Sequence, residues 1–191
     1  YKDRDAIIAD GSIRSGKTVS MTVGFVLWSM TCFDHQAFAI CGKTIESLRR
    51  NVILPLRDWL PGDFTLVEKR NENRLIISTD DGRENSYHLF GGRDESSYML
   101  IQGMTLAGVM FDEVALMPRS FVEQACARCS VPGSKYWFNC NPGSPEHWLY
   151  KEWVKKRKEK NALRLHFTMD DNLALDASIK ARYESMYSGV F

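Results

Sequence analysis

The segment Gly11-Ser12-Ile13-Arg14-Ser15-Gly16-Lys17-Thr18 limits the possible folds more than any other stretch of the chain. Its glycines, lysine and hydroxyl residue stand at the spacing G-x-x-x-x-G-K-[ST]. Glycine lets the backbone curl until successive N–H groups converge on phosphate oxygens. Ahead of the loop, Ala6-Ile7-Ile8-Ala9 reads as a buried strand that ends at Asp10-Gly11. Behind it, Val19, Val23, Val26, Leu27 and Met30 recur at helical spacing. A helix starting at the loop adds the positive end of its dipole to the same spot. All eight residues are therefore expected to bind nucleotide, with Lys17 reaching the β- and γ-phosphates of ATP and the Thr18 hydroxyl ligating Mg²⁺.

A second G-K-T, Gly42-Lys43-Thr44, also follows an apolar run, Ala37-Phe38-Ala39-Ile40-Cys41. Ala37 stands where the cradle needs glycine, so this copy reads as a strand-to-helix turn with a structural role. Val109-Met110-Phe111-Asp112-Glu113 is an apolar strand ending in two acids. Its carboxylates emerge at the carboxyl edge of the sheet, where open α/β folds bind ligands. With a complete phosphate loop upstream, Asp112 is expected to hold Mg²⁺ through water and Glu113 to polarise the attacking water. Trp137-Phe138-Asn139-Cys140-Asn141-Pro142 is another apolar strand ending in small polar groups. There Asn139 or Asn141 could bond the γ-phosphate or the lytic water and report hydrolysis.

Between these motifs, Phe64 to Val67, Arg74 to Thr79 and Asn85 to Phe90 read as strands, the last two joined by a hairpin turn at Asp80-Asp81-Gly82. Leu106 to Phe111 reads as a doubly covered strand. Thr44 to Leu60 reads as a helix that Pro55 kinks or breaks, and Pro118 opens another that runs to about Arg128. The remainder alternates: a strand at Lys135 to Cys140, a helix at His147 to Lys160, a strand at Leu163 to Thr168 and a helix at Ala177 to Tyr187. This order predicts an α/β P-loop NTPase fold: a mainly parallel sheet covered by helices on both faces, with an inserted β-hairpin. The ATPase domain is expected to span residues 1–170, with residues 171–191 starting a helical linker.

With 191 residues, of which 44% are hydrophobic, the chain can bury one such core. A formal net charge of +1 neither demands nor excludes nucleic acid, so any basic surface is local. No apolar run is long enough to span a bilayer, and the charged start Tyr1-Lys2-Asp3-Arg4-Asp5 is unlike a signal peptide. Of Cys32, Cys41, Cys126, Cys129 and Cys140, three sit in apolar stretches, which fits reduced, partly buried thiols. A zinc site from Cys126, Cys129, Cys140 and His147 is disfavoured because the first pair falls inside a helical pattern. Lys155-Lys156-Arg157-Lys158-Glu159-Lys160 reads as a solvated helix end in preference to a DNA contact, and Trp148 and Trp153 as core packing. Starting just ahead of the loop and ending at Gly189-Val190-Phe191, the chain is expected to be one domain of a longer polypeptide.

Gly11–Thr18 with an arginine inside it, Val109–Glu113 and Asn139–Pro142 together resemble the ATPase domain of the large subunit of tailed-bacteriophage terminases. The resemblance covers essentially the whole chain, with weaker support from Gln102-Gly103-Met104-Thr105-Leu106, Asp171-Asn172 and Arg182-Tyr183. It implies that Arg14 approaches the γ-phosphate, that Lys17 and Glu113 are catalytic, that Asp112 is the metal-side acid, and that Asn139 to Asn141 form the coupling motif. It implies ATP and Mg²⁺ as cofactors. The implied partners are double-stranded DNA, a terminase small subunit, a portal and further copies in a homo-oligomeric ring, with no membrane. The implied place of action is the cytoplasm of the infected bacterial host, not the mature virion. The C-terminal nuclease of such subunits is not expected within these residues. An arginine inserted by a neighbouring subunit would be Arg93 or Arg128. Adenine contacts stay unassigned, since only Tyr1 to Asp10 precede the loop. A helicase-like P-loop motor and a nucleotide-binding assembly module with little turnover use the same residues.

Overall fold

Strands without polar alternation need cover on both faces. Every residue of β1 (Ala6–Gly11) is buried in the computed structural model, which describes residues 2–141 and 144–186. The other strands are β2 (Ala37–Gly42), β3 (Phe64–Lys69), β4 (Arg74–Thr79), β5 (Glu84–Gly91), β6 (Gly108–Phe111), β7 (Lys135–Asn139) and β8 (Ala162–Phe167). They form one sheet in the order β3-β4-β5-β2-β6-β7-β1-β8. From β5 through to β8 neighbouring strands run parallel, while β3 and β4 extend the edge antiparallel.

Side chains leave the sheet alternately, so one strand feeds two cores. Ile7, Phe38, Ile40, Met110 and Trp137 face α1 (Lys17–Cys32), α2 (Ile45–Leu48) and α3 (Leu54–Trp59), packing on Met21, Phe25, Leu48, Val52 and Leu56. Ile8, Ala39, Val109, Phe111 and Phe138 face α4 (Arg119–Ala127) and the π-helical turn Tyr150–Val154, packing on Phe121, Val122 and Trp153. Each large side chain buried this way contributes about 1.5–3 kcal/mol. The fold is thus the expected P-loop α/β sandwich. The last helix, α5 (Ala177–Met186), buries none of its residues.

Several local expectations change. The hairpin turn forms at Asp80-Asp81-Gly82, with Gly82 at φ 88°. Its second strand, however, is an integral parallel neighbour of β2, so only β3 and β4 lie outside the parallel sheet. The strand expected from Leu106 begins at Gly108, Leu106 making only an isolated bridge with Cys129. Pro55 does not break its helix. The Leu54 N–H bonds to Arg49 O, a π-type step that carries the chain past the proline's missing donor. Between His147 and Lys160, the π-turn gives way to turns at residues 155–160 in place of a continuous helix. Tyr1, Pro142, Tyr187 and Gly189-Val190-Phe191 lie outside the described residues. Among the described residues no helix is long and apolar enough to cross a membrane.

Candidate active site

The loop leaves β1 at Gly11, whose φ of 142° belongs to glycine, and a Cβ there would sit 1.8 Å from the Phe167 carbonyl oxygen. Ser12 N–H donates to that same carbonyl at 3.0 Å, tying the base of the loop to β8. Gly16, at φ 82°, is the N-cap of α1, so the helix begins with backbone N–H groups facing the loop. Lys17 is buried, and its Nζ donates to Ser12 O at 2.5 Å, Gly11 O at 3.3 Å and Ser15 Oγ at 3.2 Å. Burial lowers the Lys17 pKa, against the opposing pull of Cys140, Asp10 and Asp112.

Asp112 follows β6, Asn139 ends the neighbouring β7, and Thr18 stands in the first turn of α1. Their side chains close a triangle. Asn139 Nδ2 donates to Asp112 Oδ1 at 2.6 Å and to Thr18 Oγ1 at 3.0 Å, and Thr18 Oγ1 donates to Asp112 Oδ1 at 3.2 Å. Burial raises the Asp112 pKa, and the bonds from Asn139 and Thr18 and the charge of Lys17 only partly offset it. Glu113, in the left-handed region at φ 57°, leaves the line of the strand and is exposed. Partial burial of its carboxylate, then the neighbouring Asp112 charge, raises its pKa as well.

These groups line a cavity of about 530 Å³ together with Arg14 and Asn141. That volume suits a small-molecule ligand. Thr18 Oγ1 and the Asp112 carboxylate form an oxygen donor set of the kind a hard divalent cation takes. Two buried polar atoms here, Ser12 Oγ and Asn139 Oδ1, have no hydrogen-bond partner, so polar groups remain for a bound phosphate or water. The residues present therefore fit a Mg²⁺–nucleotide. A larger cavity of about 830 Å³ surrounds Lys135, Tyr136 and Trp153, but it contains no loop residue and neither acid, so size does not mark the chemistry.

The remaining candidates separate clearly. Arg93 follows β5 at the carboxyl rim, where Lys43 Nζ holds its carbonyl at 2.7 Å. Arg128 ends α4 at the opposite rim, its carbonyl bonded to Leu106 N–H just before β6. Thr44 caps α2, accepting from Ser47 N–H, so the second G-K-T is a structural turn. Cys140 lies beside Lys17 and Asp10, away from Cys126 and Cys129, and burial pushes the Cys140 thiol up to about 12. In the basic run, Lys156 pairs with Glu152 at 2.9 Å and Lys160 sits 5.0 Å above the buried Trp153 ring. Asn51 and Trp59 reach the cavity from the α2–α3 region, and no local motif marks them in the sequence. Nor does one mark the Asp10 clamp: this buried carboxylate accepts from Arg164 Nη2 at 2.5 Å and Nε at 3.1 Å, with His166 Nδ1 at 3.3 Å.

Residues 8–189 match the family model described as "Terminase large subunit, T4likevirus-type, N-terminal". The large terminase of a thermophilic bacteriophage is 56% identical over 99% of this chain and 47% of its own, with a TM-score of 0.93. The same phage's large terminase in complex with ATP-gamma-S matches with 54% identity over 99% of this chain and 46% of its own, at a TM-score of 0.90. The ATPase domain of the Thermus phage P74-26 large terminase, 15% identical over 97% of this chain and 81% of its own, shares the fold at a TM-score of 0.67. Among curated proteins none matches. The chain spans about half the length of the thermophilic-phage terminase chains it matches. On the family match along nearly its whole length and the identity to the thermophilic-phage enzyme, the chain belongs to the terminase large subunit family, corresponding to its T4likevirus-type N-terminal region.

Proposed function

We propose that this domain hydrolyses ATP to ADP and phosphate and that the reaction drives double-stranded viral DNA into a prohead. The hydrogen-bonded triangle of Thr18, Asp112 and Asn139 carries the reading, because three motifs far apart in sequence meet there at one point. The thermophilic-phage terminase in complex with ATP-gamma-S supports a nucleotide as the ligand of this domain.

In this reading the backbone of Gly11 to Thr18 cradles the phosphates and Lys17 exchanges its loop carbonyls for phosphate oxygens. Thr18 and Asp112 would hold Mg²⁺, which supplies charge neutralisation on the phosphate oxygens. Glu113 accepts a proton from the water that attacks the γ-phosphorus. The bond to the bridging oxygen breaks, and ADP leaves with that electron pair. A carboxylate with a raised pKa is the better base for this step. Arg14 neutralises the γ-phosphate, Asn139 orients Asp112 and Thr18, and Asn141 contacts the γ-phosphate from the cavity wall. Duplex DNA, a small subunit, a portal and a ring of copies complete the motor in the cytoplasm of the infected host. Residues 171–191 would form the start of a helical linker, in keeping with an α5 that buries none of its residues.

Calorimetric titration with Mg²⁺–ATPγS tests the site. Lys17→Ala is expected to weaken binding about 10- to 100-fold, the worth of hydrogen bonds to a charged group. Equal affinity in the two proteins would contradict the assignment.

A further inference from the structure

The segment after β8 runs beside the phosphate loop. Thr168 N–H and Oγ1 both bond Asp171 Oδ2, at 2.6 and 3.0 Å, which fixes a short turn. Asn172 comes next, and its carboxamide bridges two structures. Its Oδ1 accepts from Ala174 N–H at 3.2 Å within its own turn, and its Nδ2 donates to Arg14 O at 2.7 Å in the loop. Its Cγ also lies 3.9 Å from where a Cβ on Gly16 would stand, so it backs the loop at a second point.

Arg14 needs such support. Its φ of 58° is in the left-handed region, which costs a residue with a Cβ about 1–2 kcal/mol. The Arg14 carbonyl and the Ser15 N–H share one planar, trans peptide and point in opposite directions. Asn172 also lines the cavity, and holding the Arg14 carbonyl fixes the plane of the peptide that carries the Ser15 N–H. We propose that Asn172 is a positioning residue for nucleotide binding, its Nδ2 pinning the apex of the phosphate loop at Arg14. This rests on the nucleotide-site reading above and adds a residue from outside the three motifs.

Titrating Mg²⁺–ATPγS into the wild type, Asn172→Ala and Asn172→Ser tests it. Serine still accepts from the N–H two residues on but is too short to reach Arg14. Both variants are expected to lose about 3- to 10-fold in affinity, the worth of one hydrogen bond. Their melting temperatures without nucleotide should stay near that of the wild type, and KM for ATP should rise more than kcat falls. Wild-type affinity in Asn172→Ser would overturn the proposal, because the side chain would then serve only its own turn. A marked fall in the nucleotide-free melting temperature of Asn172→Ser would overturn it too, as the mark of a folding role. A wild type that binds no Mg²⁺–ATPγS would instead sink the nucleotide reading itself.

Discussion

Asp112 and Glu113 sit next to each other and are pushed the same way, each toward its neutral form. For Asp112 the folded state holds the proton more tightly than the unfolded chain does. Its contribution to stability is therefore present at low pH and is lost as pH rises from the ordinary 3.8 through the raised folded value. At neutral pH the buried carboxylate is a cost, which holding Mg²⁺ would offset in the proposed reading. Asp112→Asn keeps an acceptor for Asn139 Nδ2 and removes that charge. It is expected to melt at a higher temperature than the wild type at pH 7 without nucleotide, in a calorimetric scan, while losing Mg²⁺-dependent turnover. The raised Glu113 has a kinetic consequence of the same sign. A protonated base cannot take a proton, so the acidic limb of kcat against pH is expected above the ordinary glutamate value of 4.5. A limb at or below that value would contradict the burial of this carboxylate.

At the scale of elements, the Asp10–Arg164 clamp joins β1 to β8 directly beneath the loop. Arg164→Ala would leave the Asp10 carboxylate buried with His166 as its remaining hydrogen-bond partner. Removing one partner of a fully buried pair costs about 3–5 kcal/mol, and because Arg164 keeps 33% of its side chain exposed, about 2–3 kcal/mol is expected in urea unfolding. Asp10→Asn in the same chain should recover most of the loss. The loop, the acid pair and the Asn139 strand are readable because each is a local pattern: a periodic apolar run closed by residues of one chemistry. Asp10 reads only as a strand end, since its partner lies 154 positions away and no spacing announces it. The same holds for Asn51 and Trp59. The place of β5 is hidden for a related reason: Asn85, Tyr87 and Leu89 alternate with half-covered residues like a hairpin strand, and pairing with β2 is decided by the core they share. The π-turns at Arg49–Ile53 and Tyr150–Val154 keep helical periodicity in the sequence while changing the hydrogen-bond step.

At the scale of the whole molecule, the two arginine candidates lie at opposite rims of the sheet, and only Arg93 shares the rim of the cavity. If copies assemble with that rim facing a neighbour's site, specific ATPase activity rises with protein concentration. Arg93→Ala should abolish the rise, by up to about 1,000-fold where assembly is complete, and Arg128→Ala should preserve it. Phosphate release measured over a concentration series with each variant separates them. The most direct test of the central claim is Mg²⁺-dependent phosphate release from ATP by the wild type and by Glu113→Ala, at several protein concentrations with and without duplex DNA. Turnover in the wild type, reduced about 100- to 10,000-fold in Glu113→Ala while ATPγS still binds, is the expected result. Equal turnover in the two proteins would contradict Glu113 as the catalytic base, and a wild type that binds ATP without ever hydrolysing it would contradict the ATPase.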